Sequence, residues 1–216
     1  MFDSVTQVFV RLLLMYRIAI LLVVATFLSC SSDDRSRDED ARISVVTTTT
    51  MITDMVKQIA GDKVRLTGLM GPGVDPHLYE PIPSDGIALS EADLIFYNGL
   101  FLEGQMTSDL KNQGGIDFGS TVSEDQLKGD QSHPDPHIWG NAQIWAGCVP
   151  LVVKALSVED PQNSSHYKER GNYLIETLRE LHQWSRSRVD SLPEDSRILI
   201  TSHDAFEYFG ESYGFR

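Results

Sequence analysis

The chain has 216 residues, 41% of them apolar and 23% charged, enough to bury the core of one large domain or two small lobes. Its 18 Lys and Arg against 31 Asp and Glu give a net charge of −13, which argues against nucleic acid as a partner, because phosphates need a basic footprint. An acidic surface suits a soluble protein and would also concentrate cations around it.

The first segment reads as a targeting signal. Arg11 and Arg17 precede the apolar run Ile18 to Leu28, and Ser29, Cys30 and the polar stretch SSDDRSRDEDAR follow at once. A basic flank with 11 apolar residues describes an export signal, too short to span a bilayer comfortably. Met15, just ahead of Arg17, is an alternative start. Cys30 at the junction resembles the lipidated cysteine of a bacterial lipoprotein, although Phe27 and Leu28 depart from the usual residues before it. The expectation is a signal over 1–30, lipidation of Cys30, a Ser-rich tether over 31–42, and residence in the periplasm or on the outer face of the cell membrane. Cys148 is then the only other cysteine, so no intramolecular disulfide is expected, and its apolar surroundings make it a small core residue.

From residue 43 strands and helices alternate. ISVVTTT (43–49) predicts a β-branched strand, MITDMVKQIAG (51–61) a helix ending on Gly61, and VRLTGLM (64–70) a second strand. Ser84 to Glu91 predicts a short helix capped by Ser84 or Asp85, DLIFYN (93–98) a third strand, and FLEGQMTSDLKN (101–112) a helix. Residues 112–136 read as loop with at most one short strand. Asn141 to Ser157 is helical with a kink expected at Pro150. A long polar helix follows over His166 to Val189, capped by Asn163 or its neighbours, with Tyr167, Leu174, Leu178 and Leu181 forming its buried stripe. After Pro193 the α/β rhythm restarts with a strand at 197–201 and a helix from Ala205. The expected class is α/β with wound parallel sheets: a first lobe at 43–160, a linking helix at 161–192, and an incomplete second lobe at 193–216.

The six histidines are not scattered evenly. His77 in GPGVDPHLYEP and His137 in DPHIWGN both follow Asp-Pro in Gly- and Pro-rich loops, and His203 lies two residues beyond the last strand. Ligands of wound sheets sit beyond the carboxyl ends of the strands, so these three imidazoles could meet at one point and hold Zn²⁺ or a related ion. Proline fixes its own φ and restricts the aspartate before it, so either loop loses little entropy in holding a ring still. Asp75, Asp135 or Asp204 could orient a ring, and His133 could serve as an auxiliary ligand. His166 and His182 read as solvated helix residues, and Tyr79 and Trp139 as loop packing.

Four stretches then add a resemblance: GVDPHLYEP (73–81), YNGLFLE (97–103), DPHIWGN (135–141) and TSHDAFEYF (201–209) are similar, in order and spacing, to motifs of the metal-binding solute-binding proteins of zinc/manganese ABC transporters. The resemblance covers about residues 43–216. It implies two α/β lobes joined by a rigid helix, His77, His137 and His203 as the first three metal ligands, and a monomeric receptor that hands its ion to a membrane permease. The fourth ligand of the family, an Asp or Glu, is expected from the second lobe well downstream of the third, beyond Arg216. A long His-rich loop of zinc-type members is here reduced to His133, whereas His203 stands where manganese-type members often have Glu, and the balance favours zinc over manganese. Two alternatives stand beside this reading. A three-histidine zinc hydrolase would need a placed general base, and the sequence has no HExxH-like pairing. The other is a truncated, non-functional paralogue or fragment.

Overall fold

The computed structural model describes residues 42–130 and 132–216; the expected export signal, most of the tether and Cys30 lie outside the described residues. Four short strands, β1 (Ser44–Thr47), β2 (Arg65–Gly68), β3 (Leu94–Tyr97) and β4 (Ile116–Asp117), make one parallel sheet in the order β2-β1-β3-β4. Val45 lies opposite Leu66 on one side and Leu94 on the other, and Phe96 lies opposite Ile116. Parallel neighbours demand crossovers, and the helices supply them: α1 (Thr50–Ala60), α2 (Pro83–Ser90) and α3 (Thr107–Asn112). Further on come α4 (Ala142–Glu159), α5 (Ser164–Asp190) and α6 (Glu207–Tyr213).

Both faces of the sheet are covered, which is why the central strands are apolar at consecutive positions. Val45 and Phe96 point into a core with Ile52, Val56 and Ile59 of α1, Val149 and Val152 of α4, and Tyr167 and Leu174 of α5. Their neighbours Val46, Ile95 and Tyr97 point the other way, onto Leu89, Met106 and Leu110. Cys148 is fully buried in the first core as expected, and burial pushes its thiol up to about 11. Strand order reverses between β1 and β3, so the loops leaving the strand ends there open a crevice.

Several expectations need correction. Ile82, rather than Ser84 or Asp85, occupies the cap position of α2, and the Asp85 carboxylate reaches back to accept from the Ile82 N–H at 2.9 Å. The helix expected over 101–112 is shortened because Gly99, Leu100 and Phe101 take left-handed φ values of 76°, 52° and 63°; a 3₁₀ turn at Gly104–Met106 then leads into α3. The helix α4 runs continuously through Pro150, which has no N–H to offer the carbonyl four residues back. Asn163 holds the cap position of α5, but its side chain donates to Asp160 at 2.7 Å and caps no helical N–H. Leu181 on the expected buried stripe is exposed. His166 and His182 are half-buried rather than solvated: His166 Nε2 lies 3.3 Å from the Ala60 carbonyl at the end of α1, and the His182 ring packs on Tyr213 at 5.3 Å.

The strand expected at 197–201 is absent. Arg197 and Leu199 exchange hydrogen bonds with Arg216, but no strand of the sheet lies beside the segment, and Ile198 and Ile200 are 58% and 91% exposed. A short apolar run fits a strand only when a neighbouring strand offers a ladder and a face to bury it.

Candidate metal centre

The two Asp-Pro-His loops use one local device. The Asp75 carboxylate accepts the His77 N–H at 2.9 Å, and the Asp135 carboxylate accepts the His137 N–H at 2.9 Å. Each is an aspartate bonding the backbone two residues on, a turn that the intervening proline stiffens. The loops differ in what happens to the ring. Asp135 Oδ1 also lies 2.5 Å from His137 Nδ1, so the carboxylate accepts a hydrogen bond from Nδ1–H and the neutral ring carries its lone pair on Nε2. Asp75 is bonded only to its own loop's backbone.

His77 reaches the crevice from the loop after β2, His137 from the loop after β4, and His203 from the segment before α6. His203 is held from outside the sheet. Its carbonyl accepts from Thr201 Oγ1 at 2.8 Å and from the Ala205 N–H at 3.0 Å. The α6 helix behind it is tied to the His137 loop, because buried Tyr208 accepts the Lys128 N–H at 3.2 Å and Lys128 pairs with Glu211.

The three rings converge. Nε2 of His137 lies 3.1 Å from Nε2 of His77 and 3.3 Å from Nε2 of His203, and the three ring centroids are 5.1 to 5.2 Å apart. Four nitrogen ligands placed tetrahedrally around Zn²⁺ at about 2.0–2.1 Å lie roughly 3.3 Å from one another. The spacing therefore fits a single ion in front of three neutral imidazoles. His137 is the inner ligand, 4% exposed and packed on Trp139 at 5.2 Å, while His77 and His203 are exposed and leave the outer side open to solvent. Burial, then the neighbouring His137, holds the His77 pKa below its ordinary value, although Asp75 opposes the shift. A lowered value keeps that imidazole unprotonated, and so able to bind metal, to lower pH than a free histidine.

The remaining candidates do not join this cluster. His133 is exposed and bonded to Asp130 and Ser132 in its own turn, and Asp204 is exposed and makes no hydrogen bond to a ring among the described residues. Tyr79 does pack its loop, donating to Asp85 at 2.7 Å; burial and that bond push its phenol up to about 12.

Sequence reasoning passed over Thr48, Asn98 and Glu103. Glu103 is buried, and its carboxylate accepts from Thr48 Oγ1 at 2.8 Å, the Asn98 N–H at 2.6 Å and the Gly99 N–H at 3.1 Å. Burial raises its pKa, and those three bonds offset part of the rise. Asn98 Nδ2 in turn donates to the Pro136 carbonyl at 2.9 Å. The only outward sign was the Asn-Gly pair inside YNGLFLE.

A wound parallel α/β unit in which two strand-end loops and the segment before α6 bring three imidazole nitrogens to a point defines an α/β protein with a metal-ligand cluster. Residues 45–216 match the family of ZnuA, zinc-uptake complex component A, periplasmic, and the chain belongs to that family. It is 36% identical over 204 residues to the manganese-binding lipoprotein MntA of Bacillus subtilis, covering 92% of this chain and 67% of MntA. It is 40% identical over 181 residues to the zinc-binding protein TroA of Treponema pallidum, covering 82% of this chain and 59% of TroA. The solved structure of periplasmic zinc-binding TroA superimposes with a TM-score of 0.78 at 38% identity, over 81% of this chain and 65% of that one. The chain thus spans about two thirds or less of the length of these relatives, which are binding proteins by name.

Proposed function

We propose that this chain is the metal-capturing part of an extracytoplasmic receptor that binds one Zn²⁺, with Mn²⁺ as the alternative, and delivers it to an ABC permease. The observation that carries the proposal is the convergence of the His77, His137 and His203 Nε2 atoms at the spacing a single ion requires. In this reading the three nitrogens are the ligands, Asp135 fixes the His137 tautomer, and Asp75 fixes the His77 loop. The solvent side is the route by which the ion enters and the side from which a further ligand would close the shell. Imidazole donors favour Zn²⁺ over the harder Mn²⁺. The relatives are named for both metals, and as lipoprotein or periplasmic protein, which supports export and a tether through Cys30.

The domain reading belongs to the same proposal: a first lobe at 43–160, a connecting helix at 161–192 that includes α5, and the start of a second lobe at 193–216. The receptor acts as a monomer, without nucleic acid and without chemistry on its cargo. Among the described residues the carboxylates beside the cluster are engaged, Asp135 by the His137 ring and Asp75 by the His77 N–H, which does not favour the competing hydrolase reading.

Elemental analysis after zinc loading and gel filtration tests it. The wild-type chain is expected to retain about one zinc per molecule, and His77→Ala far less. Because His77 is exposed, the variant should keep its fold, and equal zinc in the two proteins would refute the proposal.

A further inference from the structure

The buried polar chain behind His137 is not needed to close the core, because an apolar cluster of the same shape would do that without desolvating a carboxylate. It begins at the carboxyl end of β1, where Thr48 donates to Glu103, and crosses to the end of β3, where Glu103 accepts the Asn98 and Gly99 N–H groups. Thr48, Asn98 and Glu103 are each 0–1% exposed. For Glu103 to return to the strand end it has just left, the chain must reverse within a few residues. The left-handed run Gly99, Leu100 and Phe101 makes that reversal, although leucine and phenylalanine rarely adopt such φ values.

The product of this arrangement is a fixed Asn98. Its side-chain amide faces two carbonyls, Pro136 at 2.9 Å and Gly99 at 3.2 Å, and its Oδ1 is buried without a partner. Pro136 is the residue before His137, the inner ligand and the one in contact with both other Nε2 atoms. The His137 ring is bonded by Asp135 and the backbone just before it, at the Pro136 carbonyl, by Asn98.

The geometry points to Asn98 and Glu103 as positioning residues for metal capture that act through His137. This rests on the metal-receptor reading above. Glu103 holds the strand-end amides, Asn98 transfers that fixed position to the Pro136 carbonyl, and His137 Nε2 is thereby placed where the other two imidazoles converge.

A double-mutant cycle tests the inference. Zinc affinity is measured by competition with a chromophoric chelator for wild type, Asn98→Ala, His137→Ala and the double variant. Groups behind a metal ligand typically change affinity by about 10–100-fold, so Asn98→Ala is expected to weaken zinc binding by roughly that factor. In the His137→Ala background the same change should have an effect within about 2-fold, because nothing is left for Asn98 to position. Glu103→Gln, which leaves Asn98 in place but disturbs the amides it rests on, is the second variant and should weaken zinc several-fold. If Asn98→Ala proves unfolded by circular dichroism, the Glu103→Gln pair of backgrounds gives the same comparison. Unchanged affinity in the folded variants, or an equal loss with and without His137, overturns the positioning role while leaving the receptor reading intact. A wild-type chain that binds neither zinc nor manganese overturns the receptor reading itself.

Discussion

Replacing His137 by alanine is expected to lower zinc affinity by about 10²–10³-fold and to destabilise the metal-free protein as well. Structural zinc sites yield roughly 10–16 kcal/mol, so one ligand among three or four accounts for about 3–4 kcal/mol. The second effect separates His137 from the two exposed ligands. Its ring is buried against Trp139 and accounts for the Asp135 carboxylate, whose other oxygen is already buried without a partner. Removing the imidazole leaves a carboxylate in a poorly hydrated place with fewer bonds, a loss of about 1–3 kcal/mol. Denaturant unfolding of metal-free His137→Ala beside His77→Ala reads this directly. The expected midpoints are clearly lowered for the first and nearly unchanged for the second. A His137→Ala protein as stable as wild type would show that the Asp135 pair contributes nothing to the apo fold.

The larger structural effect is expected at Gly99. Its φ is 76°, and an added Cβ would lie 1.9 Å from Asp117 Oδ1 and 2.5 Å from Asp117 Cγ. Alanine there would adopt a left-handed conformation at about 1–2 kcal/mol and would also drive Asp117 out of its half-buried place. We expect Gly99→Ala to lose about 2–4 kcal/mol of stability, seen as a lower unfolding midpoint at unchanged denaturant slope. Because Glu103 accepts the Gly99 N–H, zinc affinity should fall with it. A Gly99→Ala protein of wild-type stability would mean that Leu100 and Phe101 alone can carry the reversal.

The contrast between His137 and Gly99 shows what the sequence could and could not convey. Asp-Pro-His is legible because each residue states its own constraint: a carboxylate that can bond two residues on, a ring that fixes φ, and a ligand. The β1-α1-β2 rhythm is legible for the same reason, from β-branched runs and from Gly61, whose φ of 62° ends α1 where expected. The reversal at 99–101 was hidden because Leu100 and Phe101 carry no mark of a left-handed backbone. The tertiary bonds of Glu103 impose it. For the same reason the acid in YNGLFLE read as a helix residue, although it ties two strand ends together. RILIT failed in the other direction. Its pattern suits a strand, but pairing is a property of neighbours, and among the described residues only Arg216, not a strand of the sheet, bonds to it.

The most direct measurement is zinc K-edge X-ray absorption on the zinc-loaded chain, because it counts the ligands around the ion. Three imidazole nitrogens at about 2.0–2.1 Å, with one further light-atom ligand completing the shell, is the predicted result. A shell with one imidazole or none would contradict the convergence of His77, His137 and His203 on a single ion.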